Sequence, residues 1–335
     1  MSEVAAPAVP ARGWYDRVLA ALPLATAFVW LVLLYAWQTW GHVTPWLFGD
    51  ELQNADIQRA IAAGGRPAVL GHAHAIETVY NAFLAPVWLF HDTHTSYTLL
   101  KYVNCVVMTS VLFPTYALAR MLVGKPAALF AGVTAAAGPA LIYTSLVLEE
   151  PAAYPYTALC FYLIAKALTL RTGPWIAGAV LASVLAPLVR AELAVIPAAF
   201  ALATVFLWWT GPSARAWRAG WSRSDWVGAV VLAAGLLIVF NAAVAAHSHE
   251  WLIATGYFRR RMIDNGLWAA GALTIGLGVF PVVAGLAALF GQKRSEAERS
   301  FAALFAAGLI AFGWYTAVKA AYISVVFSTL VEERN

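Results

Sequence analysis

Long apolar runs separated by short polar breaks dominate this chain from residue 18 onward. A helix crossing about 30 Å of hydrocarbon needs roughly 20 residues. Nine stretches approach that length, approximately 18–40, 97–119, 127–145, 154–170, 174–189, 192–210, 226–246, 267–290 and 301–328. Only Arg190, Ala191 and Glu192 separate the fifth from the sixth, which predicts a tight hairpin at the membrane surface, with one broken helix as the alternative. The Ala/Pro-rich first ten residues predict a disordered tail. The first apolar run is longer than a secretory h-region and no convincing small-residue cleavage site follows it, so it is expected to be retained.

Between Gly41 and Ser96 the pattern changes. Asp50 and Glu51 open a stretch, 52–63, in which Leu52, Ala55, Ile57, Ala60 and Ile61 alternate with polar residues, the signature of a weakly amphipathic helix. Gly64-Gly65-Arg66-Pro67 should stop it. A second apolar stretch, 76–90, is too short to span and is interrupted by Pro86, which predicts a helix lying at the interface. Trp40, Trp46 and Trp88 suit an aromatic belt. The pattern therefore predicts an all-α polytopic membrane protein of about nine transmembrane helices, with a large first extracytoplasmic loop, 41–96, carrying interfacial helices. Its expected organisation is a cytoplasmic tail over 1–17, a transmembrane module over 18–210 and additional transmembrane helices over 211–335. The chain stops at Glu332-Glu333-Arg334-Asn335, just beyond the ninth run. That reads as the N-terminal part of a longer protein or a reduced form needing a partner, or as an ordinary charged tail.

Composition excludes a soluble protein: 62% of residues are hydrophobic and 11% charged, against about 25% charged in soluble domains. The net charge of +4 is scattered between apolar runs, which argues for membrane orientation and against nucleic acid as a partner. With the N-terminus cytoplasmic, 12 of the 21 Lys and Arg fall on the inner side, whereas 12 of the 17 acids and all seven histidines fall outside. Acids hardly affect insertion, so their bias points to chemistry on the outer face. Cys105 and Cys160 have neither metal-knuckle nor CxxC spacing and read as small core residues.

Four carboxylates stand out. Asp50 and Glu51 follow the first span, and Glu149 and Glu150 lie at the junction of the third and fourth. Carboxylates from separate turns can converge across a bundle, one deprotonating an acceptor hydroxyl and another holding the acceptor or a metal; a surface cap explains Asp50 and Glu51 equally well. The pairs His72/His74 and His91/Asp92, the latter with His94 following, carry ligand-compatible residue types for a divalent metal, although solvated loop histidines are the commoner outcome. The run Arg259, Arg260 and Arg261 goes against the positive-inside trend. It suits either a phosphate clamp or anionic headgroups.

As an ordered set, several of these segments resemble the GT-C superfamily of integral-membrane glycosyltransferases, near the protein O-mannosyltransferase and aminoarabinose transferase branch. Gly49-Asp50-Glu51 resembles the acidic motif of that family's first loop. Lys101 to Asn104 and Tyr116 to Gly124 resemble its basic residue, second span and short inner turn. Leu141 to Ser145 with Glu149 resembles its second outer turn, and Leu188 to Glu192 its arginine-bearing turn. The resemblance covers about 18–210. It implies transfer of a sugar, with inversion, from a polyprenyl-phosphate donor to a lipid, glycan or protein acceptor on the extracytoplasmic side of the plasma (inner) membrane. Asp50 would correspond to the acidic-motif aspartate, Glu149 or Glu150 to the second acid, and Lys101 or Arg190 to the residue meeting lipid phosphate. Arg259 and Arg260 are the alternative phosphate ligands, Tyr154 joins the substrate-binding candidates, and a divalent metal is the cofactor to consider. The lipid bilayer is itself a partner, since a polyprenyl tail can be housed only in lipid or between spans, with its phosphate at headgroup depth. A transporter or lipid flippase, and a non-catalytic scaffold of the same fold, are the alternatives.

Overall fold

In the computed structural model the described residues are 14–41, 48–73, 78–90, 92–138, 143–247, 267–268, 270–271, 274–275, 279–291 and 295–332. Among them the architecture is helical apart from one two-stranded antiparallel pair, Ala68–Val69 with His72–Ala73, which we call β1 and β2. The chain divides into two units, Met1–Leu159 and Cys160–Asn335.

The first unit contains α1 (Trp14–Trp40), α2 (Phe48–Ala62), α3 (Thr78–Leu84), α4 (Thr93–Thr109), α5 (Leu112–Ala119), α6 (Lys125–Ala136) and the start of α7 (Glu150–Leu170). A short 3-10 helix, Ala85–Leu89, continues α3, with Pro86 in its first turn. α2 stops where the glycines predict, and Gly64 takes φ +76, a left-handed conformation that glycine adopts without a Cβ clash. α5 packs on α6 through small residues. Ala128, Gly132 and Ala136, four apart and so on one helix face, are all buried. A Cβ added at Gly132 would lie 3.0 Å from the Leu112 carbonyl oxygen, so the two backbones approach too closely for a larger residue. At the other end of α6 two orphan carbonyls find partners: the Tyr35 hydroxyl donates to Ala136 O at 2.8 Å and the Tyr154 hydroxyl to Ala135 O at 3.0 Å.

The second unit holds the rest of α7, then α8 (Gly173–Val189), a 3-10 turn at Ala191–Ala194, α9 (Val195–Thr210), α10 (Pro212–Arg218), α11 (Arg223–His247), α12 (Val279–Phe290) and α13 (Glu296–Glu332). α9 lies along α13, and Ala199, Ala203, Ala307 and Ala311 are buried on these two helices, so small side chains again set the packing. Arg190 has extended backbone, φ −160 and ψ 134, and separates α8 from α9, which meet at this turn.

Among the described residues four helical segments are long and apolar enough to cross a membrane: Ala21–Trp40, Thr93–Ala119, Ala191–Thr210 and Glu296–Ala317. The first, second, sixth and ninth predicted runs thus have counterparts of membrane length. The third is corrected, because α6 ends at Ala136 and residues 143–145 form a 3-10 turn. Twelve helical residues reach only about 18 Å, short of the hydrocarbon thickness. The eighth falls partly outside the described residues.

Candidate active site

The turn 144–148, where the third predicted span should have ended, is buried throughout. Buried backbone that belongs to no helix must find other hydrogen-bond partners, and this turn finds them in side chains. The Leu146 carbonyl accepts from Asn104 Nδ2 at 2.8 Å, the Val147 N–H donates to Glu51 Oε2 at 3.0 Å, and the Val147 carbonyl accepts from Asn54 Nδ2 at 3.3 Å. Two residues of α2 and one of α4 therefore hold a single peptide segment.

This requirement explains the orientation of α2. Glu51, Asn54, Ala55 and Gln58 share one face at the i, i+3, i+4, i+7 spacing and are all buried, whereas Leu52 is 49% exposed. The expected helix over 52–63 is present within α2, and although Ala55 and Ile57 are buried, its buried face is chiefly polar. Its amides join a directed chain. Trp88 Nε1 donates to Gln58 Oε1, Gln58 Nε2 to Asn81 Oδ1, and Asn81 Nδ2 to Asn54 Oδ1, each at 2.9 Å, and Asn54 completes the chain at Val147.

Glu51, 0% exposed, is also the acceptor of the Tyr97 hydroxyl. Tyr97 and Lys101 are one helical turn apart on α4, and the Lys101 ammonium lies 4.8 Å from the centre of the Tyr97 ring. Lys101 is only 2% exposed, and its charge and that of Glu51 act on one another. Tyr80, on α3, packs against Leu100 and Val147 and hydrogen-bonds Asn104 at 3.0 Å. Burial pushes its phenol well above the ordinary range; the Asn104 bond opposes this, and the charges of Glu149, Glu150 and Glu51 add to it. Three of the four candidate carboxylates therefore act electrostatically on Tyr80. Glu149 and Glu150 are half-buried, and the Glu149 carbonyl accepts the Ala152 and Ala153 N–H groups at the start of α7.

The remaining candidates take other places. Asp50 is exposed in the first turn of α2, where a carboxylate complements the helix dipole. Tyr154 caps α6, as described above. Arg190 belongs to the second unit, half-buried, with its Nε 2.8 Å from Glu192 Oε2. His72 is exposed on β2. Asp92 caps α4, its Oδ2 accepting the Thr95 hydroxyl and N–H; these two bonds hold its carboxyl below the usual range. His74, His91, Arg259, Arg260 and Arg261 lie outside the described residues. Among the described residues no three His, Cys, Asp or Glu side chains group as a metal ion would require. A shallow depression lined by Trp37, Gln38, Trp40 and Gly41 contains none of the candidates.

Asn54, Gln58, Asn81, Asn104, Tyr80 and Tyr97 are the members of the cluster that sequence reasoning missed. The spacing of Glu51, Asn54 and Gln58 was a usable signal, since a polar stripe at helical period marks a face; what it could not show was that this face turns inward. Chemically, the arrangement offers a carboxylate held by two donors, an ammonium at an aromatic ring, two further carboxylates and, at the head of the same helix, an exposed aspartate. No protein-family model, curated protein or solved structure matches this chain.

Proposed function

We propose that the protein is an inverting glycosyltransferase that moves a sugar from a polyprenyl-phosphate donor to an acceptor hydroxyl at the extracytoplasmic membrane surface. The observation that supports this best is the buried Glu51, which accepts from Tyr97 beside the Lys101 ammonium and from the Val147 N–H in the turn that runs directly into Glu149 and Glu150, with Asp50 exposed next to it at the start of α2. The resemblance of the Gly49 to Glu51 and Lys101 to Asn104 segments to GT-C enzymes points the same way.

In this reading Asp50 takes the proton of the acceptor hydroxyl as its oxygen bonds to the anomeric carbon. The bond from that carbon to the phosphate oxygen breaks, and polyprenyl phosphate leaves with the electron pair. Glu51 anchors the first turn of α2 and so positions Asp50, while Glu149 or Glu150 orients the acceptor. Lys101 supplies positive charge toward the leaving phosphate.

A positioned carboxylate base contributes on the order of 10² to 10⁴ in rate. Asp50→Asn is therefore expected to lower turnover by about that factor while donor binding survives, measured as transfer from a short-chain polyprenyl-phosphate sugar. Near wild-type transfer by Asp50→Asn would move the base to Glu149 or Glu150, retention of transfer by Glu149→Gln and Glu150→Gln as well would remove the carboxylate base, and no transfer by the unaltered chain would remove the enzyme reading. One observation favours a second reading, a transporter or lipid flippase: Lys101 is an ionisable residue buried within the candidate span Thr93–Ala119. Lipid movement across proteoliposomes that is abolished by Lys101→Met and indifferent to Asp50→Asn would select it.

A further inference from the structure

The candidate span Ala191–Thr210 ends in the densest aromatic cluster among the described residues. Trp208 and Trp209 at the end of α9, Trp217 on α10, Trp221 in the following turn and Trp226 on α11 form a connected set, with neighbouring ring centres 4.8 to 6.1 Å apart. Trp208, Trp217 and Trp226 are 43% to 57% exposed. Such a surface is costly in water and favoured at the boundary between hydrocarbon and headgroups, where an indole ring meets apolar and polar surroundings together.

Arginines accompany the rings. The Arg218 guanidinium lies 3.9 Å from the centre of the Trp209 ring and donates to the Trp209 and Ala214 carbonyls. Arg215 Nε donates to the Thr210 carbonyl at 3.1 Å. Both bind orphan carbonyls at the end of α9, where cations also complement the helix dipole, and Arg215 remains exposed there, as does Arg223 at the start of α11. The one acid of 212–226, Asp225, accepts from the Ser222 N–H and hydroxyl at 2.7 and 2.6 Å, so its carboxylate serves the start of α11. Three arginines against this single capped aspartate leave the segment with a net positive charge.

We infer that residues 208–226 bind the phosphate headgroup of an anionic phospholipid, with Arg215 and Arg223 as its charge partners and the tryptophan cluster seating the adjoining acyl region. The position of the cluster at the end of a candidate span commits it to a lipid of the bilayer, and its charge to an anionic one. It is independent of the glycosyltransferase reading, which rests on the other unit.

Native mass spectrometry of the full chain, equilibrated with an equal mixture of phosphatidylglycerol and phosphatidylcholine, tests this. The bound lipid should be enriched in phosphatidylglycerol. With about fivefold in affinity per arginine, the Arg215→Gln/Arg223→Gln double variant should lose roughly 25-fold of that preference, while the corresponding double lysine variant keeps most of it. An unchanged preference in the glutamine variant would overturn the inference, as would displacement of the lipid by excess inorganic phosphate. A second measurement uses the unaltered chain: brominated phosphatidylglycerol should quench tryptophan fluorescence more than brominated phosphatidylcholine of the same chain length, and equal quenching would overturn the inference without recourse to any variant.

Discussion

Glu51 combines properties that make its substitutions informative: it is fully buried, it accepts from Tyr97 and from the Val147 backbone, and its charge acts on Lys101. Hydrogen bonds to a charged group contribute about 1.5 to 3 kcal/mol. Glu51→Gln keeps an acceptor of nearly the same shape, so it should destabilise by about that amount. Glu51→Ala strands two buried donors and should cost more, about 3 to 5 kcal/mol. Thermal unfolding in detergent reads both, and equal stability of the two variants would show that the network does not hold the 144–148 turn. Asp50, its exposed neighbour, should behave oppositely, with little effect on stability and a large one on turnover. The adjacent acids were legible as a pair in the sequence; their division into one buried anchor and one exposed carboxylate was not, because neighbouring helical positions differ by 100° and the face that turns inward depends on what lies against it.

Helix packing in both units relies on small residues at four-residue spacing, and α6 gives the sharpest test. Alanine is normally the better helix former by about 1 kcal/mol, so Gly132→Ala would stabilise an isolated helix. In the protein its Cβ would lie 3.0 Å from the Leu112 carbonyl and 3.4 Å from Tyr116 Cβ. The expected outcome is a loss of stability with Gly132→Ala and a larger loss, about 1 to 3 kcal/mol or more, with Gly132→Leu. Gly228→Ala on α11 is the control, since a Cβ there meets nothing within 4 Å, and it should be neutral or stabilising. A melting temperature that rises for both alanine variants would mean that α5 and α6 are not in close contact. Apolar periodicity located these helices well but overran α6, which ends at Ala136, because the apolar run carries on to 145 although 143–145 form a 3-10 turn leading into the segment held by Glu51, Asn54 and Asn104.

For the molecule in its membrane, the Lys/Arg asymmetry argues that the α9–α11 connection is cytoplasmic. Ser213, exposed at the start of α10, is the place to test it. The native Cys105 and Cys160 are both 0% exposed, so they should contribute little background. Ser213→Cys in intact cells should react with an impermeant maleimide only after permeabilisation; labelling from outside would reverse the orientation and put the proposed active site on the cytoplasmic face.

An all-α membrane protein was readable from the chain alone, because apolar runs of membrane length have few other stable homes and backbone hydrogen bonding in lipid requires helices there. The C-terminal end of α2 and the turn at Arg190 were likewise local matters of glycine and charge placement. What the sequence could not supply was the inward rotation of the polar face of α2, the early end of α6 and the meeting of Glu51 with Tyr97, Lys101 and Val147. Each depends on residues dozens of positions apart, and on the demand of one buried, non-helical turn for hydrogen-bond partners, a demand that exists only once the chain has folded around it.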